Sequence, residues 1–176
     1  MFLPANVPNV SENNPLLQPY DLPPFSAIRP EHVQPAIEQI LADNRAGIQA
    51  ILKDQGQNPT WAGLVLAMDE LNDRLGAAWS PVSHLNAVCN SAELREAYES
   101  CLPALSAYST EMGQNRALFQ AFEALANSPE AAGFDVAQKT ILEHSLRDFR
   151  LSGIDLPPEQ QKRYAEVQSK LSELGS

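Results

Sequence analysis

Three histidines, His32, His84 and His144, are the residues of this chain best suited to bind a transition metal. A catalytic zinc site on a helix typically carries two histidines in an H-E-x-x-H motif, and that motif does not occur in the sequence. Only His144 has a second potential ligand at helical spacing, namely Asp148, with Glu143 beside the pair. Because such a pair is much more often a contact on a helix surface, the sequence predicts no metal ligand.

Motifs for nucleophilic catalysis and phosphate binding are also missing from the sequence. It contains no G-x-S-x-G turn and no glycine-rich phosphate loop. Cys89 and Cys101 lack the cationic neighbours that activate a thiol, so we interpret them as reduced core or surface thiols and favour burial. The acidic run of Asp69, Glu70 and Asp73 is typical of a solvated helix face. We therefore expect no catalytic, cofactor-binding or metal-binding residue in this chain.

Four large aromatic residues recur along the middle of the chain, and they could in principle form a platform for a ligand. They are Trp61, Trp79, Tyr98 and Tyr108. Each lies in phase with the apolar residues of a helical pattern, and large aromatic side chains belong mostly to cores. We therefore predict that they pack inside the protein.

Composition and charge exclude several classes of partner. The 176 residues include 22 Asp and Glu against 12 Lys and Arg, giving a net charge of −10, and 44% of the residues are hydrophobic. An acidic surface repels phosphate backbones and anionic lipid, so neither nucleic acid nor a membrane is an expected partner. No stretch approaches the roughly 18 apolar residues of a membrane span. With two cysteines and no secretion signal, we expect a cytoplasmic protein.

The first 24 residues differ in character from the rest. Prolines stand at positions 4, 8, 15, 19, 23 and 24, so backbone donors are missing at short intervals and no helix can persist. We expect residues 1–24 to form an extended arm, partly disordered, with Met1 to Asn14 mobile. The apolar residues of its later part and beyond should lie along the body, and these are Leu16, Leu17, Tyr20, Leu22 and Phe25.

Residues 25–176 show apolar residues at helical spacing almost without interruption. The pattern predicts an all-α bundle of about six helices, mostly with antiparallel neighbours. The first helix should begin near Pro30 or Pro35 and end at Gln55-Gly56. Thr60 should cap a second helix that ends where Ser80-Pro81 restarts the chain.

The later helices have similar start and stop signals. Ser91 should cap a long helix that bends at Pro103 without breaking. A further helix should occupy residues 116–126, and another should run from a cap at Asp135 to Ser152-Gly153. The last helix should begin at Pro157-Pro158, with an apolar phase at Tyr164, Val167, Leu171 and Leu174. No convincing helix stop precedes Ser176, and we expect that the domain is truncated at its C-terminus.

Three stretches of the sequence carry a resemblance to a known family. They are Asn14 to Leu41, Ser80 to Glu99 and His144 to Leu174. The third is the most specific, because it contains R-D-F, L-S-G-I, L-P and R-Y in that order. Together they resemble the thimet oligopeptidase family of zinc metallopeptidases.

The resemblance implies the helical N-terminal portion of a longer cytoplasmic peptidase that cleaves short peptides inside a deep channel. It implies that this portion walls the channel, that the zinc motif lies in a later, C-terminal catalytic portion, and that no catalytic residue can be assigned here. Arg147 and Asp148 are then interpreted as pairing with neighbouring helices, and Ser152 to Pro157 as a joint between two helices. The alternative is a free-standing, non-catalytic helical protein that binds a peptide or partner, or self-associates through exposed apolar helix faces.

Overall fold

A computed structural model describes residues 13–56 and 58–174, and that part of the chain contains six α-helices. One short 3₁₀ turn, Pro15–Leu17, precedes the first helix, and another, Glu130–Gly133, lies between the fourth and the fifth. A π-helical segment, Trp61–Leu66, leads directly into the second helix. The helices are α1 Pro30–Gln55, α2 Ala67–Val88, α3 Ala92–Gly113, α4 Arg116–Ala126, α5 Val136–Leu151 and α6 Pro158–Leu174. The described ranges contain no strand, so the predicted all-α class is confirmed.

Side-chain caps fix most of the helix starts where the sequence predicts them. The Thr60 hydroxyl accepts from the amide of Gly63 at 3.0 Å, and Ser91 caps α3 in the same way. Asp135 accepts from the Gln138 amide at 2.8 Å, and the Gln138 side chain in turn accepts from the Asp135 amide. Each cap satisfies an amide that has no helical acceptor, which is why these residues set the boundaries.

The core is built around α1, which packs against α2, α3 and α4. Its inward residues follow steps of three and four, as an amphipathic helix requires, and they are Val33, Ala36, Ile37, Ile40, Leu41, Asn44 and Ile48. Asn44 is the polar member of this stripe, and its side-chain amide donates to the carbonyl of Leu71 at 3.0 Å. None of the helices, over the residues described, is long and apolar enough to cross a membrane.

The arm is attached to the body nearer its beginning than predicted. Residues 1–12 lie outside the described residues, so the predicted mobility there stays a prediction. At Asn14 it is wrong, because this side chain is fully buried, donates to the His32 carbonyl at 2.7 Å and accepts from the Leu16 amide at 3.0 Å. Leu16 is buried as expected, whereas Leu22 is exposed. The arm is therefore fixed by a polar anchor as well as by apolar contacts.

The predicted restart of the chain at Ser80-Pro81 is wrong, because α2 continues through this point to Val88. Pro81 has no amide hydrogen, so the carbonyl of Ala77, four residues earlier, loses its helical donor. The hydroxyl of Tyr20 in the arm donates to that carbonyl, and the Pro81 ring is buried. The arm thus replaces the missing amide, and the helix passes through the proline.

This replacement can be tested by a double-mutant cycle. Tyr20→Phe removes the hydroxyl and should lower the free energy of unfolding by about 1 kcal/mol, because the Ala77 carbonyl loses its protein donor. In a Pro81→Ala background the same change should have less than half that effect, since the restored amide can donate to the carbonyl. Urea unfolding of the four proteins measures the difference. Equal losses in both backgrounds would show that the two residues are not coupled.

Candidate functional site

The structure places the three histidines on three different helices. His32 lies in the first turn of α1, where its Nδ1 accepts from the Arg29 amide at 3.1 Å. His84 lies in α2 with its ring 5.3 Å from that of Phe25, and His144 is exposed on α5. Among residues 13–56 and 58–174, no group of three or more His, Cys, Asp or Glu side chains is placed to hold a metal ion. The side chains that the structure describes therefore do not fit a catalytic zinc ion.

His144 and Asp148 have the spacing of metal ligands, but Asp148 pairs with a different residue. The Asp148 carboxylate accepts two hydrogen bonds from the guanidinium of Arg147, at 2.9 and 3.0 Å. Arg147 and Asp148 were expected to pair with neighbouring helices, and instead they pair with each other. Both side chains are more than half exposed, so this ion pair contributes little to stability.

The two cysteines differ in environment, and one prediction about them is wrong. Cys89 is exposed on the connection between α2 and α3, although we expected both thiols to be buried. Cys101 is buried in α3, and its Sγ lies 3.3 Å from the carbonyl oxygen of Ala97. Burial raises the pKa of the Cys101 thiol, which keeps it protonated and a poor nucleophile.

The aromatic residues pack against other side chains, and none forms an open platform. Trp79 stacks on Tyr98 with ring centroids 4.8 Å apart, joining α2 to α3. Trp61 meets Phe134 edge-on at 5.4 Å. Tyr108 is buried on α3, and burial raises the pKa of its hydroxyl. The predicted packing role is confirmed for these residues.

The family-like stretch at residues 147–156 forms the joint between α5 and α6. Gly153 has a φ of 85°, a left-handed conformation that turns the chain at the end of α5. Ile154 is fully buried, and its carbonyl accepts from Arg116 at the start of α4 and from Gln161 in α6. These contacts fasten the joint to α4 and to the first turn of α6, so the most specific sequence motif has a structural role.

The end of α3 approaches this joint closely. Gln114, just beyond α3, donates to the Ser152 carbonyl at 3.1 Å. A Cβ on Gly113 would lie 2.5 Å from the Cβ of Ser152, so only glycine fits here. Nothing in the sequence indicates this contact, because no sequence pattern links Gly113 to Ser152 and the two residues lie far apart in the chain.

A shallow cleft of about 270 Å³ opens beside the joint, between α2, α3, α4 and α5. Its walls are mainly apolar with a few polar groups, and the lining consists of Met68, Asn72, Met112, Gly113, Leu118, Phe122, Ser145, Asp148, Phe149 and Ser152. Phe149, one of the lining residues, has its ring 5.7 Å from the rings of Phe119 and Phe122. The cleft has room for an apolar side chain, and its lining residues do not form a recognisable catalytic group. The described residues therefore define a helical scaffold domain held at a tight joint.

Comparison with known proteins places this scaffold in a family. The model of the neurolysin/thimet oligopeptidase N-terminal domain matches residues 37–162. The chain therefore belongs to the neurolysin/thimet oligopeptidase family, with the match falling on its N-terminal domain. This confirms the resemblance carried by the three sequence stretches.

Curated relatives extend the match to nearly the whole chain. Oligopeptidase A of Haemophilus influenzae is 54% identical over 167 residues, which is 95% of this chain and 24% of the relative. Oligopeptidase A of Escherichia coli is 50% identical over 93% of this chain and 24% of its own length. An organellar oligopeptidase A of Arabidopsis thaliana is 31% identical over 92% of this chain. The chain spans about a quarter of the length of the bacterial relatives.

Substitution of a glycine at the joint and of a glycine away from it should have opposite effects on stability. Gly113→Ala should lower the free energy of unfolding by about 1–3 kcal/mol, because the added Cβ collides with Ser152. Gly76→Ala, in the middle of α2, meets nothing within 4 Å and should raise stability by about 0.5–1 kcal/mol through helix propensity. Urea unfolding of both variants measures this. A Gly113→Ala protein as stable as the parent would refute the tight joint.

The two thiols should react at very different rates. Iodoacetamide at mildly alkaline pH should modify Cys89 readily, and it should modify Cys101 roughly a hundredfold more slowly because that thiol is buried and protonated. Mass spectrometry of digested protein after timed labelling gives both rates. In denaturing urea the two rates should converge. Similar rates in the native protein would contradict the described burial.

Proposed function

We propose that this chain is the N-terminal helical domain of an oligopeptidase A-type zinc metallopeptidase that degrades short peptides in the cytoplasm. In this proposal the domain helps to wall the substrate channel, and a C-terminal portion of the parent protein holds the zinc ion and performs the hydrolysis. The domain contributes shape and packing, and none of its residues contacts the metal or the scissile bond.

One observation carries the proposal, namely the extent of the match to the relatives. Nearly the whole chain aligns with bacterial oligopeptidase A, yet it corresponds to 24% of such a protein. The sequence contains no H-E-x-x-H motif, so a zinc centre of that kind has to come from elsewhere in the parent protein. The family-like motif at the α5–α6 joint supports the same role, because its residues hold helices in place.

The proposal can be tested with the chain alone and with a chimera. The chimera replaces the matching N-terminal quarter of Haemophilus influenzae oligopeptidase A with this chain. With Zn²⁺ present, the isolated chain should not hydrolyse a short quenched peptide, whereas the chimera should do so in a chelator-sensitive way. Chelator-sensitive hydrolysis by the isolated chain, or a folded chimera without activity, would refute the proposal.

The channel-wall role makes a separate prediction about selectivity. If the domain restricts access, the chimera should cleave a short peptide at least about tenfold faster than the same sequence embedded in a folded protein domain. A matched chimera in which the Gly113→Ala substitution loosens the joint should show a smaller ratio, because the wall is less well fixed. An unchanged ratio in a measurably destabilised chimera would argue against the wall.

A free-standing interaction protein is the second candidate function. It is favoured by the exposed apolar side chains of α5 and α6, which include Val136, Leu151 and Leu174. Exposed apolar surface commonly marks an interface. Sedimentation velocity over a hundredfold concentration range would reveal self-association of the isolated chain. Self-association together with an inactive chimera would favour this second function.

A further inference from the structure

Helix α6 packs on the body with its polar side. The half-buried positions that face the body are Gln161, Tyr164, Ala165, Gln168, Ser169 and Ser172, and α6 has no fully buried residue in its described length. Two hollows of about 390 and 300 Å³, lined largely by hydroxyl groups and small side chains of α3 and α6, lie along this contact. The contact between α6 and α3 is therefore loosely filled, by short and polar side chains, unlike the packing of α1.

The apolar residues of α6 lie mainly outside this contact, although Leu171 also borders the larger hollow. Val167, Leu171 and Leu174 follow steps of four and three and form one stripe along the helix, which we call the α6 stripe. They are 41%, 57% and 82% exposed. A helix normally buries its apolar stripe and leaves its polar side to solvent, so α6 lies on the body in the reverse orientation. The described helices cover this apolar side only in part.

The family comparison bears on how much of α6 belongs to the N-terminal domain. The match to the family's N-terminal domain ends at residue 162, which is the fifth residue of α6. Most of this helix therefore lies beyond the matched domain. The bacterial relatives are about four times as long as this chain. A segment that follows α6 in such a protein is tethered at its end, next to Leu174, and its effective concentration at the stripe is high.

We propose that the α6 stripe is the docking surface for the segment that follows this domain in the parent peptidase, so that α6 joins the two portions by packing on both. This inference rests on the proposed function and adds the surface through which the two portions meet. Arg163 lies beside the stripe and already pairs with Glu166 of the same helix at 3.0 Å, so the border offers no unbalanced positive charge there. The segment that covers the stripe should therefore be recognised by apolar contact, and it should present apolar side chains to Val167, Leu171 and Leu174.

Thiol labelling can test the proposal in the chimera. Leu171→Cys places a reactive thiol in the stripe, and Cys89, already exposed, serves as the reference in the same protein. The thiol at position 171 should react with maleimide at least tenfold more slowly in the chimera than in the isolated chain, because the following segment covers it. Cys89 should change by less than twofold. Equal rates at position 171 in a chimera that hydrolyses peptide would overturn this inference and leave the proposed function intact.

The isolated chain provides a second, independent test. Because the stripe is exposed there, Leu171→Ser should change the unfolding equilibrium constant by less than threefold, whereas the matched change Leu118→Ser in the core should raise it more than a hundredfold. A tenfold or larger rise for Leu171→Ser would show that the stripe belongs to the chain's own core. Slower labelling at position 171 with doubled mass at high concentration would identify a second copy as the occupant. Either result overturns the proposal.

Discussion

Burial of one face of α1 is the interaction on which the rest of the domain depends. This helix contacts α2, α3 and α4, and its stripe from Val33 to Ile48 is almost completely withdrawn from water. Burying a large aliphatic side chain stabilises a fold by about 1.5–3 kcal/mol, so a stripe of this kind outweighs any of the exposed ion pairs. The remaining helices are positioned by what they can pack against α1 or against its immediate neighbours.

The α5–α6 joint is the second fixed point, and it explains the specificity of the sequence motif. Gly153 is required for its left-handed turn, Ile154 for its buried side chain, and the Ile154 carbonyl for its bonds to Arg116 and Gln161. These are requirements of geometry. Helix packing can therefore account for a motif that identifies a family.

The sequence predicted the helices well because caps and turns act locally. Thr60, Ser91 and Asp135 satisfy amides three residues away, and such signals can be read from neighbouring letters. The error at Pro81 has a different origin, since its compensation comes from a hydroxyl that is distant in sequence. The orientation of α6 was unpredictable for a similar reason, because periodicity shows that an apolar stripe exists but not which neighbour covers it. Motif spacing alone predicts no reactive site in this chain, and that stays a prediction.

The hydrogen bond from the Tyr20 hydroxyl to the Ala77 carbonyl also has a consequence for the order of folding. It joins residues 57 positions apart, so it forms only after a large loop has closed and the arm has reached α2. Until then the proline interrupts the hydrogen-bond ladder of that helix. The segments of α2 before and after Pro81 should consequently become one continuous helix late on the folding pathway, after α1 and α2 have packed together.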